Sequence, residues 1–408
     1  MKRLLALALV AVLLLVFGCA EKEAVRGNES ESLENAGNFT NDSAASASPA
    51  PKLELPSEEK NEANESAVNE SAEDEAETLP SSAPVSAVSE ENFAKVERNC
   101  FGFLVGGGAE EFSAAAESGA GWTRPHYGPF AWGHIEKEKG KFDFNETDAE
   151  VKYAGENNIT MLATIWPFAD WEQTCRSTEA CKVSTSDIFY SWGNGKGIPN
   201  SRCKPCDMEA YKEFLKKLVE RYDGDGVEDM PELKVPVRYW EISNEPEMRE
   251  ETLTFFRGNE QDYVEILEAS YDAVKEACPN CTVVQGGAAG SFETNSFWGK
   301  IFDLGGAQFF DVANIHYVAQ EYSSNLNVKS YKELMESKGV SKPIWVTEAE
   351  YREGTSDDEV EASVRGAVDA GASKIFFTRL IVGVKGALPP GKSSSEIYKK
   401  IIKEVECE

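Results

Sequence analysis

Eight short apolar runs separated by helical patterns, with charged residues gathered at the ends of those runs, predict an α/β chain. They place a (β/α)8 TIM barrel over residues 99–408. The runs are 101–105, 121–125, 160–166, 237–243, 282–286, 309–316, 343–349 and 374–379. They are continuously apolar rather than alternating, as parallel strands buried on both faces require. Helical patterns stand at 209–222, 260–277, 328–338, 358–371 and 394–405. A doubly wound sheet is the alternative. Its nucleotide-binding members need a glycine-rich phosphate loop after a strand, and Gly106-Gly107-Gly108 lacks that spacing. The chain shows no internal repeat.

The rest of the 408 residues is different in kind. Residues 1–19 read as a secretory signal: Lys2 and Arg3, then an uncharged apolar run from Leu4 to Phe17 that is too short to span a bilayer. It ends at Gly18-Cys19, a small residue before Cys that resembles the lipobox of prokaryotic lipoproteins and makes Cys19 the lipidation site. Residues 20–98 form an acidic linker, with 18 acidic and 4 basic residues between 20 and 91 and Phe39 as the sole aromatic there. Such a composition predicts a disordered tether. Asn-x-Ser/Thr sequons stand at Asn28, Asn38, Asn41, Asn64 and Asn69, and again at Asn145, Asn158 and Asn280. The expectation is an extracytoplasmic monomer, lipid-anchored at the cell surface or secreted, that meets a membrane only through such an anchor. A net charge of −30 argues against nucleic-acid binding. The tether carries nearly half of that charge.

Nine Cys occur, and setting Cys19 aside leaves an even eight, which in an exported domain favours disulfides. Cys175, Cys181, Cys203 and Cys206 cluster. A four-thiolate zinc site is disfavoured by the Cys175/Cys181 spacing, so two disulfides are expected, with three connectivities open. Cys278-Pro-Asn-Cys281 has redox-motif spacing but follows a helical pattern, so a structural link is expected. Cys100 and Cys407 stand at the two ends of the folded region and can staple it.

In such a barrel, chemistry gathers where strands end. The second run ends in Arg124 and His126, the third in Trp166, the fourth in Asn244-Glu245-Pro246, the sixth in His316-Tyr317 and the seventh in Thr347-Glu348-Ala349-Glu350. Two carboxylates facing each other across a barrel mouth suit retaining glycoside hydrolysis. At these residues the sequence resembles the clan A glycoside hydrolases, closest in motif to their β-xylosidase, β-galactosidase and xylanase branches. Trp240-Glu-Ile-Ser-Asn244-Glu245-Pro246 looks like their strand-four motif, and Trp345-Val-Thr347-Glu348 like their strand-seven motif. Trp132-Gly-His-Ile-Glu136 and Gly140-Lys-Phe-Asp-Phe144 resemble the stretch after strand two.

The resemblance implies Glu245 as general acid/base and Glu348 as nucleophile. It implies Arg124 holding Glu348 ionised, Asn244 on the sugar 2-hydroxyl, and His316 and Tyr317 orienting the nucleophile. His126 and Glu350 are candidates for substrate contact, and Trp166 and Trp171 for sugar platforms; Glu241 reads as a buried salt-bridge partner. The chemistry needs no metal and no cofactor; its partner is carbohydrate. The implied activity is a retaining glycosidase acting on β-linked oligo- or polysaccharides. The rivals are a surface glycan-binding protein without turnover, and a transglycosylase using the same pair.

Three positions depart from the family pattern. Tyr317 directly follows His316 instead of standing one further on, and Tyr322 could replace it. Phe377-Thr378-Arg379 stands where many relatives carry Trp, and Glu350 follows the strand-seven Glu closely. The long connection from Pro167 to Cys206, with its four Cys, Tyr190 and Trp192, is expected to be a disulfide-pinned wall of the cleft.

Overall fold

The computed structural model describes residues 99–407 apart from 106–107, 127, 176–177, 191–196, 353 and 379–395. The signal segment, Cys19, the linker with its sequons, Trp192 and Arg379 lie outside the described residues.

Eight strands form the barrel: β1 (Phe101–Val105), β2 (Trp122–Pro125), β3 (Thr160–Ile165), β4 (Tyr239–Asn244), β5 (Thr282–Gly287), β6 (Ala313–Val318), β7 (Ile344–Glu350) and β8 (Ala372–Phe377). Seven neighbouring pairs run parallel, including β1 with β8. Parallel bridges Val284–Val312 and Ala288–Ile315 bring β5 to β6 and close the ring. Around it stand α1 (Ala109–Glu117), α2 (Asn145–Glu156), α3 (Met208–Glu220), α4 (Glu260–Ala277), α5 (Thr294–Asp303), α6 (Val328–Ser337), α7 (Asp357–Asp369) and α8 (Glu396–Glu404). Among the described residues no helix is long and apolar enough to cross a membrane.

The expected sixth strand, 309–316, is displaced to 313–318, because 306–309 forms a 3-10 turn that spends the first apolar residues on packing below the strand. The eighth begins two residues earlier than expected. Helix starts follow local chemistry: the Asn259 side chain accepts from the Asp262 N–H at 2.9 Å while Asp262 answers the Asn259 N–H at 3.1 Å, opening α4 with a reciprocal cap.

Two apolar clusters hold the fold. The larger lies between sheet and helices. The smaller, Leu104, Trp122, Leu162, Val284, Val312, Trp345 and Phe376 with Tyr239 against it, fills the lower barrel interior. Trp122 sits edge-on to Tyr239 at 4.7 Å and to Trp345 at 5.4 Å, so the floor is a plug of rings rather than a pore. A Cβ on Gly102 would meet the Phe376 ring at 2.5 Å, which explains a Gly within β1.

All eight cysteines among the described residues pair: Cys100–Cys407, Cys175–Cys206, Cys181–Cys203 and Cys278–Cys281. The cluster after β3 therefore takes the nested one of its three connectivities. Within that excursion the buried Arg202 donates to the carbonyls of Pro199, Phe189 and Thr254 and pairs with Asp187 at 3.2 Å. Asp187 in turn accepts from the N–H of Thr254 at 2.9 Å. The connections after β3 and β4 are thus joined into one wall.

Candidate active site

Immediately above the aromatic floor lies a polar layer. Arg124, fully buried at the end of β2, reaches three acceptors at 2.7 Å each: Nε to Glu241, Nη1 to Glu348 and Nη2 to Asn244. Glu241 is also fully buried. Besides Arg124 it accepts from Thr164 at 2.5 Å, Asn314 at 2.6 Å and Thr347 at 3.0 Å. Its four acceptor positions are filled.

Strand β7 presents two consecutive residues to the interior. Between Asn314 and His316 on β6 the pairing advances two residues, while β7 advances three, from Trp345 to Glu348. The β8 side shows the same surplus, Val346 to Ala349 against Ile375 to Phe377. One extra residue in β7, a bulge, lets both Thr347 and Glu348 face inward. Strand β4 also leaves regular geometry where it matters: Ser243 and Glu245 hold φ of 66° and 38°, left-handed values rare for non-glycine residues. The Glu245 N–H is fixed by the Gly287 carbonyl at 2.9 Å.

His316 lies between the two carboxylates. Its Nδ1 is 2.8 Å from Glu245 and 3.9 Å from Glu348, and its Nε2 is 2.9 Å from Thr347 Oγ1. A Cβ on Gly287 would collide with this ring, so the glycine makes room for it. The expectation that His316 orients the nucleophile is therefore corrected: its hydrogen bond goes to the acid/base candidate.

The protons can be counted. Thr347 Oγ1 accepts from Asn314 at 2.7 Å and gives its single hydrogen to Glu241, so the His316 contact must be Nε2–H donating to Thr347. In the neutral imidazole, which burial favours, that donation leaves Nδ1 as an acceptor, and the donor facing it is then a protonated Glu245.

The electrostatics agree. Burial, with Glu241 and Glu350 adding to it against Arg124, pushes Glu245 up to about 8. Burial lowers His316 to about 4, keeping it neutral. Glu348 is also raised by burial, but the charge and hydrogen bond of Arg124 oppose the rise. The environments of Glu245 and Glu348 thus differ in the way an acid and a nucleophile require. One ligating atom from each of Glu245, His316 and Glu348 lies within 4.8 Å of the others, a spacing a divalent cation could bridge. The Arg124 guanidinium already holds the Glu348 oxygen and supplies the positive charge there.

Other expected residues fall as follows. Asn244 is in place on Arg124. Glu350, largely buried, faces the same mouth and adds to the rise at Glu245. His126 is at the rim, edge-on to Phe189 at 6.0 Å, with burial and the Arg124 charge lowering its pKa. Tyr317 is not an orienting residue: it is adjacent to His316, so it points to the opposite face, where it packs on Tyr351 at 5.6 Å. Trp166 is no open platform, being 1% exposed against Phe255. Trp171 also belongs to the wall, edge-on to Trp132 at 5.4 Å with its N–H on the Glu136 carbonyl.

Sequence reading missed Asn314, whose signal was its two-residue spacing from His316. It also missed Glu247, which no motif marks. Glu247 accepts from the Ala289 N–H at 2.7 Å, Thr294 at 2.9 Å and Trp298 at 3.1 Å, pinning the connection after β5. Burial raises it to about 7.

Neither a protein-family model nor a curated protein matches the sequence. Among solved structures, the chain is similar to a glucosidase from Croceicoccus marinus, at 13% identity and TM-score 0.54, covering 75% of this chain and 68% of that one. It is similar to a beta-galactosidase from the haloarchaeon Halorubrum lacusprofundi at 14% identity and TM-score 0.51, covering 75% and 58%. A family 39 glycoside hydrolase from Bacteroides cellulosilyticus matches at 18% identity and TM-score 0.47, covering 69% and 56%. The chain thus spans less than two thirds of the latter two proteins. The first two likenesses show the same barrel fold.

Proposed function

We propose that this chain is a retaining glycosidase that cleaves β-linked oligo- or polysaccharides, with Glu348 as nucleophile and Glu245 as acid/base. The observation that carries this reading is the asymmetry of the pair: Glu348 is tied to Arg124, while Glu245 is raised to about 8 and hydrogen-bonded to a neutral His316.

The ionised Glu348 carboxylate attacks the anomeric carbon, and the bond to the leaving oxygen breaks as Glu245 passes its proton to that oxygen. A glycosyl ester on Glu348 results. Glu245, now anionic, removes a proton from water; the water oxygen bonds the anomeric carbon, and the Glu348 carboxylate departs. Asn244, aligned by Arg124, meets the sugar 2-hydroxyl. The supporting geometry is the close approach of the two carboxyl groups, with one oxygen of each within 4.8 Å of the other, which favours the short separation of a retaining pair.

The test is turnover of aryl β-glycosides with Glu348→Gly and Glu245→Ala as controls. Azide should restore Glu348→Gly and yield a glycosyl azide. The wild-type kcat/KM profile should lose activity above about pH 8 as Glu245 ionises. Inverted product stereochemistry, or full activity in Glu348→Gly without azide, would overturn the assignment. Wild type that binds glycans but cleaves none would favour the non-catalytic reading.

A further inference from the structure

Two large aromatic side chains are left in solvent on the catalytic side of the barrel. Phe292 is 94% exposed and Tyr322 is 51% exposed. Phe292 lies in the connection from β5 to α5, and Tyr322 in the connection from β6 to α6. Phe292 is five residues beyond Gly287, whose carbonyl holds Glu245, so it lies within about 18 Å of it along the chain.

The backbone carrying them is held firmly. Gln320 Nε2 donates to the Ala289 carbonyl at 2.7 Å, joining the two connections directly. Asn327 donates to the His316 carbonyl and to Gln320, each at 2.9 Å. Glu247 holds Ala289 and Thr294 on either side of Phe292. The left-handed Gly290 packs so closely that a Cβ there would meet Asn327 Nδ2 at 2.5 Å. A ring held out into water on a braced connection is presented rather than left over.

We infer that Phe292 and Tyr322 form a platform for the leaving-group side of an extended carbohydrate chain. This rests on the glycosidase reading above and deepens it. The side follows from contact: the connection carrying Phe292 starts at Gly287, whose carbonyl holds the N–H of Glu245, the residue that protonates the leaving oxygen, and Gln320 ties the connection carrying Tyr322 to it. The occupant follows from the neighbours. Phe292 is flanked by Ser291, Glu293, Thr294 and Asn295, and Tyr322 by Gln320, Glu321 and Ser323. A sugar ring offers one apolar C–H face and a hydroxylated rim, matching an isolated aromatic ring bordered by hydroxyls, amides and carboxylates. A lipid tail would need contiguous apolar surface, which these sequences do not supply.

The experiment compares two substrates in each variant: a β-glycosyl fluoride, which has no leaving-group sugar, and a length ladder of β-linked oligosaccharides with the same reacting sugar. The readout is the ratio of the two kcat/KM values. Phe292→Ala should lower the oligosaccharide-to-fluoride ratio about tenfold, and Phe292→Trp should keep it. Tyr322→Ala should lower it further in the double variant. Val227→Ala, an exposed apolar residue before β4 at the opposite end of the barrel, should leave it unchanged. An unchanged ratio in the Phe292 and Tyr322 variants, with fluoride turnover intact, overturns the platform alone. Wild type that turns over no fluoride overturns the Glu245/Glu348 reading and the platform with it. Phe292-dependent binding of alkyl-glycoside micelles without any dependence on oligosaccharide length overturns the carbohydrate occupant.

Discussion

Replacing Arg124 by Gln separates the two things this side chain does. It removes the only cation in contact with Glu348 and Glu241 among the described residues, with N–O distances of 2.7 Å to each. Two unit charges about 4 Å apart at an effective dielectric near 20 attract by about 4 kcal/mol, which sets a ceiling of about 3 pKa units. Glu348 is already raised by burial, so loss of Arg124 should raise it by a further 1–3 units, roughly. The nucleophile must be ionised, so the acidic limb of kcat/KM should move up by that amount. At one pH unit above the wild-type limb, activity should fall by about 2- to 100-fold and recover as pH rises. Stability should also fall, by about 3–5 kcal/mol, because two buried carboxylates lose their counter-charge. The assay is a pH series on a β-glycosyl fluoride together with thermal melts. Arg124→Lys should recover only part of the effect, since one ammonium cannot span three acceptors. A folded Arg124→Gln protein whose acidic limb has not moved would refute the reasoning.

Glu245→Gln should abolish turnover yet stabilise the fold. In wild type the folded state holds a proton on Glu245 that the unfolded chain releases above its ordinary carboxylate range, so stability declines as pH rises from about 4.5 toward about 8. The variant lacks that decline, and melts at pH 5 and pH 8 should show a gain that grows with pH to about 2–5 kcal/mol. Arg202→Met leaves the buried Asp187 without its counter-charge and removes one donor from three carbonyls, and should cost about 3–5 kcal/mol, read by denaturant titration, while changing substrate range as the wall loosens. Replacing Cys100 and Cys407 together with Ser opens a loop of 307 residues and should lower stability by about 2–5 kcal/mol, with the pH–rate profile unchanged.

The barrel was legible because buried parallel strands are continuously apolar, and the site was legible where strand ends carry acids. What escaped was geometry inside a strand. Thr347 and Glu348 cannot both face inward under simple alternation, and only the extra residue in β7 permits it. The same alternation did determine Tyr317, which cannot share a face with its neighbour His316. The partner of His316 depended on the left-handed turn at Glu245, and nothing in Asn244-Glu245-Pro246 shows that turn. Trp166 and Trp171 could not be placed because exposure is decided by what the excursion after β3 lays over them. Arg202 and the two nested disulfides fix that covering.

The Cys100–Cys407 link makes the folded region, topologically, a ring. The chain comes in just before β1 and leaves just after α8, at the end of the barrel away from Glu245 and Glu348. Tension applied at residue 99 against residue 407 therefore runs through one sulfur–sulfur bond and does not peel β1 from β8. Because those two points are already joined, a permuted chain, cut within 224–229 and fused across the old ends, preserves the circuit of covalent and hydrogen-bonded neighbours around the barrel.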